Sequence, residues 1–95
     1  MEKVRSYEGL FIIVPEKLDN LDEVKANIKD IISDNSGNIV KETDIGKKTL
    51  AYPIKKKEEG IYYEIHFSAK PASVAKMSRL FRINNDLLRA LIDKS

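Results

Sequence analysis

Two hydrophobic periods alternate along these 95 residues, and their order limits the fold more than any other feature. Tyr7 to Val14, YEGLFIIV, is apolar, aromatic and β-branched and stops at Pro15, as a buried strand does. Leu18, Leu21, Val24, Ile28, Ile31 and Ile32 then recur at three- and four-residue spacing, the mark of a helix with one apolar face. Asp19, Asp22 and Glu23 suit the positive end of that helix, Asp19 or Asn20 is placed to cap it, and Asn35-Ser36-Gly37 stops it. Asn38 to Lys55 is extended, with Gly46 marking a bulge or kink. Lys56-Lys57-Glu58-Glu59-Gly60 is expected to turn the chain into a strong strand, IYYEIHFS. Pro71 opens a second helix, where its missing N–H costs nothing, and Val74, Met77, Leu80 and Phe81 form its apolar stripe. Asn84-Asn85-Asp86 breaks that helix. Leu87 to Asp93 is a last strand, although the same residues would also continue a helix locally.

Strand, helix, strand, strand, helix, strand is two split βαβ units. The expected fold is an α+β, ferredoxin-like βαββαβ sandwich: a four-stranded antiparallel sheet with two helices on one face. The first and third strands should be central and the second and fourth should be edges. Residues 1–95 are expected to form a single domain.

Alternation along strands then assigns two faces. Tyr7, Gly9, Phe11 and Ile13, with Ile61, Tyr63, Ile65 and Phe67, and with Leu88, Ala90 and Ile92, should lie under the helices. The opposite face has no helix left to cover it, yet it carries Leu10, Ile12, Tyr62, Leu87 and Leu91. Single exposed leucines are common, but apolar residues on neighbouring strands mark a partner surface.

KKTLAYPIKKK, residues 47–57, belongs beside that face. Pro53 cannot donate to a ladder, so its strand must be an edge or bulged. Leu50, Tyr52 and Ile54 share one side of it. The flanking lysines keep an edge from self-association and would equally suit an RNA backbone.

Little in the chain suggests catalysis. With no cysteine, thiolate chemistry, disulfides and cysteine zinc sites are out, and a reducing cytoplasm is consistent with that. His66 is the only histidine, so no metal, cofactor or catalytic cluster is expected. No phosphate-binding or nucleophile-elbow pattern occurs. The loop after the first strand, Val14-Pro15-Glu16-Lys17, lacks the arginine of an acylphosphatase-like cradle, so no small-molecule substrate is expected. Only Tyr62 would be an open-face aromatic, too few for base stacking in the manner of an RNA-recognition motif. No apolar run approaches a membrane span, and the start has no signal or transit character.

Net charge is only +2, but Pro15 to Asp44 holds eight acids and four bases. The rest is therefore clearly basic, as either a solvated lysine surface or an anion-binding one would be.

These residues resemble the bacterial small-subunit ribosomal protein six family. Gly46 followed by Leu50-Ala51-Tyr52-Pro53-Ile54 is the most specific piece. Tyr7-Glu8, Gly60-Ile61-Tyr62 and Phe81-Arg82-Ile83-Asn84 leading into Leu88-Arg89 follow in the same order and spacing, so the likeness runs nearly the whole chain. The resemblance implies the ferredoxin-like fold, a structural role in the small ribosomal subunit of the cytoplasm, and no catalysis. It also implies binding to the central domain of 16S ribosomal RNA as a heterodimer with small-subunit ribosomal protein eighteen. Thr49 stands where relatives often carry a charge. The chain stops at Ser95, so no role of the longer tails of some relatives is expected.

On this reading Leu10, Ile12, Leu50, Tyr52, Ile54, Tyr62, Leu87 and Leu91 meet the protein partner. Lys3, Arg5, Lys48, Lys55, Lys56 and Arg89 contact phosphates, positioning the protein without reading sequence. The alternatives are a stand-alone single-stranded RNA binder and a ligand-sensing module that dimerises through its sheet.

Overall fold

A computed structural model of the chain describes residues 3–95. The elements are β1 (Arg5–Ile13), a 3₁₀ stretch (Pro15–Asn20), α1 (Leu21–Asp34), β2 (Asn38–Ile54), β3 (Lys57–Ala69), α2 (Pro71–Arg82) and β4 (Leu87–Lys94). All strand pairs are antiparallel, in the order β2-β3-β1-β4. The ferredoxin-like sandwich expected from the periodicity is therefore present, with β1 and β3 central.

The core forms between one sheet face and the helices because each element carries one apolar side. Tyr7, Phe11 and Ile13 of β1 and Ile61, Tyr63, Ile65 and Phe67 of β3 meet Val24, Ile28 and Ile32 of α1 and Met77 and Phe81 of α2. Phe11 stands edge-on to Phe81 at 4.8 Å between ring centroids, the orientation that aligns ring edge with ring face. A polar seam ties α1 to the β2 edge. The Tyr63 hydroxyl donates to Glu42 Oε1 at 3.0 Å, Lys29 pairs with Glu42 Oε2 at 3.4 Å, and Lys25 pairs with Asp44. Burial raises the Tyr63 phenol well above its ordinary pKa, and the Glu42 carboxylate adds to the effect.

Both helix ends differ in detail from expectation. Pro15 starts a 3₁₀ stretch before α1, and its three-residue repeat turns Leu18 out to solvent. Asn20 occupies the N-cap of α1 without a side-chain cap bond. At the other end Ser36, not Gly37, takes the left-handed conformation, with φ 65°. Ser36 N–H donates to Ser33 O at 3.1 Å and Gly37 N–H to Ile32 O at 2.8 Å, the paired bonds of a Schellman stop. Gly37 is needed for closeness instead, since a Cβ there would lie 2.8 Å from Ile32 O and 2.9 Å from Met77 Cε. In α2, Pro71 is in the first turn as expected, whereas Leu80 is 39% exposed and stands outside the buried stripe.

Candidate nucleic-acid and partner interface

The site begins at an interruption in the β2–β3 ladder. Gly46, at φ 105°, sits at one register shift as expected. A larger shift follows: Thr49 pairs with Glu59, and the next pair is Ile54 with Lys57. Leu50 to Pro53 thus stand opposite Glu58 alone, so Pro53 sits on an edge strand where no ladder N–H is required. The turn is Lys55-Lys56, shorter and earlier than expected, because Ile54–Lys57 pairing draws Lys57 to Gly60 into β3.

The surplus residues bend over the sheet face that no helix covers. Leu50 becomes buried there against Ile12 and Leu88, with Val14, Ile54 and Tyr62 packed around them. Gly60 makes the room: a Cβ at that position would collide with Ile12 Cγ2.

Leu10, Ile12, Leu50, Tyr52, Ile54, Tyr62 and Leu91 line one shallow depression with Ala51 and Arg89. Seven of the eight residues expected to meet a partner are therefore neighbours, with Tyr52 57% and Leu91 46% exposed. Leu87 is the exception and corrects the expected facing of β4. It is 3% exposed in the helix-side core, and Leu88, expected under the helices, takes the open face. The cause is a bulge: Ile12 pairs with Arg89 and Ile13 with Leu87, leaving Leu88 as the extra residue. The other half of the open face is polar, with His66 Nε2 2.9 Å from Glu64 Oε1 and Nδ1 3.8 Å from Glu8 Oε1.

The six expected phosphate contacts fall into two groups. Arg5 pairs with Ala69 at one end of the sheet, and Ile13 with Ile61 at the other, a separation of roughly 27 Å. Lys3 and Arg5 belong to the first end. Lys48, Lys55, Lys56 and Arg89 belong to the second, beside the apolar depression. Lys48 Nζ lies 6.0 Å from the Tyr62 ring centroid and the Arg89 guanidinium 5.7 Å from that of Tyr52.

Among the described residues, none of these six cations is in an ion pair with a carboxylate. The lysines that are so paired are Lys17, Lys25, Lys29, Lys47 and Lys57. Lys57 Nζ, 2.7 Å from Glu16 Oε2, hydrogen-bonds that carboxyl and lowers its pKa. Sequence reasoning missed Arg82, which lines a depression at the end of α2 together with Lys55 and Arg89. Among the described residues no group of three or more His, Asp or Glu side chains is placed to hold a metal ion, and no helix is long and apolar enough to cross a membrane.

Fold and surface together define a ferredoxin-like module that joins an apolar depression to cations free of carboxylate partners among the described residues. Comparison with known proteins narrows this class. The family described as Ribosomal protein S6 matches residues 6–94. Small ribosomal subunit protein bS6 of a Nitratiruptor species is 41% identical over 92 residues, covering 96% of this chain and 72% of that protein. The Helicobacter pylori protein of the same name is 38% identical over 94 residues, covering 96% of this chain and 65% of that protein. A crystal structure of 30S ribosomal protein S6 from Thermotoga maritima superposes with a TM-score of 0.89 at 29% identity, covering 98% of this chain and 89% of that one. The C-terminal domain of the MgtC protein from Mycobacterium tuberculosis shares only the fold, at TM-score 0.66 and 13% identity. The chain belongs to the ribosomal protein S6 family, structural proteins of the small ribosomal subunit in the cytoplasm.

Proposed function

We propose that the chain has no catalytic activity and binds the central domain of 16S ribosomal RNA as one half of a composite surface. The other half is small-subunit ribosomal protein eighteen. The partner covers the apolar depression, and the unpaired cations at the hairpin end meet phosphates at its rim. The observation that carries this reading is Arg89, which borders the depression and also belongs to the cationic group beside it. A protein seated on Leu10, Tyr52 and Leu91 would leave the charge of Lys55, Lys56 and Arg89 beside its own surface. Such contacts give affinity that falls with salt, while specificity comes from RNA shape and from the partner. A stand-alone single-stranded RNA binder fits less well, because among the described residues Tyr52 and Tyr62 are the only rings lining the open-face depression, few for a platform of stacked bases.

The test is titration of a central-domain 16S fragment with this protein alone, then with protein eighteen added. Tight binding only in the presence of the second protein is expected. Equal affinity without it would overturn the composite surface, and no binding in either case would overturn the RNA assignment.

A further inference from the structure

The helix layer is divided by charge. The exposed side of α1 carries Asp22, Glu23, Asp30 and Asp34, and its two lysines are taken up by Asp44 and Glu42 of β2. The exposed side of α2 carries Lys76, Arg79 and Arg82, and no acid occurs between Glu64 and Asp86. Among the described residues, none of these three cations is in an ion pair with a carboxylate. Helix stability explains only part of this. Arg79 and Arg82 in the last turn suit the negative end of the helix, but the N-cap is Lys70 and the first turn has no acid, the reverse of what the dipole favours. The depression at the end of α2 continues the same sign, with Lys55, Arg82 and Arg89 around it and no carboxylate in its lining.

We propose that the solvent side of α2, from Lys76 through Arg79 to Arg82 and across to Lys55, is a second phosphate-binding surface that takes the backbone of duplex ribosomal RNA. The proposal rests on the RNA-binding reading above and adds the helix face of the molecule, which adjoins the open-sheet site at Lys55. Lys76 to Arg82 spans about 9 Å of helix axis, long enough to follow successive phosphates. Duplex is favoured over single strand because α2 offers no exposed ring for stacking: its one aromatic, Phe81, is buried. Recognition there is by backbone position and shape.

The experiment measures binding of the protein alone to a generic RNA duplex, unrelated in sequence to the central domain, across a range of salt. The variant is Lys76→Gln with Arg79→Gln and Arg82→Gln, which preserves helix-forming side chains. Its control, Lys17→Gln with Lys41→Gln and Lys47→Gln, removes the same charge elsewhere. The expected result is that the slope of log affinity against log salt falls by about 2 to 3 for the α2 variant only, with affinity near 0.1 M salt weaker by about a hundredfold. Equal slopes for variant and control, or no duplex binding by the parent protein, would overturn the proposal. Unchanged RNA slopes alongside lost binding to polyglutamate would also overturn it, in favour of an acidic protein partner. The central-domain fragment with protein eighteen is titrated in the same buffers. Failure there alone strikes the composite-surface reading and leaves the duplex measurement to judge α2.

Discussion

Arg89 Nη1 donates a 2.9 Å hydrogen bond to the Tyr52 hydroxyl. Tyr52 belongs to β2 and Arg89 to β4, the two edges of the sheet, with β3 and β1 between them. At normal strand spacing those edges stand about 14 Å apart. They meet because Leu50 to Pro53 leave the ladder and cross the open face on the Leu50–Ile12–Leu88 cluster, and the contact they make borders the proposed interface.

Arg89→Ala is expected to weaken binding of the heterodimer to the RNA fragment and to lower the salt slope by about 1, the signature of one lost phosphate contact. The far-ultraviolet circular dichroism spectrum should not change. An unaltered slope and affinity at several salt concentrations would remove Arg89 from the RNA site.

Gly60→Ala forces a methyl group into Ile12, a buried β-branched side chain that is stiff at χ1. Overpacking of this kind costs about 1–3 kcal/mol, seen as a lower denaturation midpoint with an unchanged slope. Partner affinity should fall as well, because Leu50 and Leu88 pack on the same Ile12. Stability equal to that of the parent would mean the hairpin end does not rest on Ile12 in solution.

Tyr63 gives a pH dependence whose sign is fixed. The folded protein holds the phenol proton more tightly than the unfolded chain does. The resulting stability is therefore complete below the unfolded phenol pKa of about 10, and it is lost as pH rises from there toward the higher folded value. Urea titrations between about pH 9 and 12 should show the parent losing stability by up to about 1.4 kcal/mol per pH unit from this group, and Tyr63→Phe losing less. Parallel curves would show that another group governs alkaline unfolding.

Lys55 and Lys56 hold φ of 50° and 66° in a two-residue hairpin turn. Asn-Gly accepts that backbone better than two lysines do, so Lys55→Asn with Lys56→Gly should stabilise the fold by about 1–2 kcal/mol. The same pair should weaken RNA binding if these side chains contact phosphate. A more stable protein with undiminished RNA affinity would argue that the lysines serve only to keep the edge soluble.

Periodicity along single elements was legible. It located both helices and four strands, the edge position of Pro53 and the irregularity at Gly46. Properties that arise between elements were not. Alternation counts residues on one strand, but the Leu88 bulge exists only relative to β1, and it exchanges the faces of Leu87 and Leu88. The excursion of Leu50 to Pro53 likewise depends on how few residues of β3 oppose them. The basic side of α2 was visible in principle, since no acid separates Glu64 from Asp86. It carries no motif, because a lysine and two arginines at three-residue spacing suit any solvated helix face equally well. What only the folded layer shows is that Asp44 and Glu42 of β2 take up the two lysines of α1, leaving the exposed side of that helix acidic.

Strand order also sets the sequence in which the molecule can assemble. β2 and β3 adjoin in the chain and can zip from their two-residue turn within microseconds. β1, central in the sheet, pairs with β3 and with β4, whose residues 87–94 are among the last of these 95 to be synthesised. Its apolar run therefore stays unpaired until β3 has been made, and closing so distant a contact slows folding. During that interval YEGLFIIV is the segment most exposed to misassociation, and a chaperone or the emerging hairpin is what would shield it.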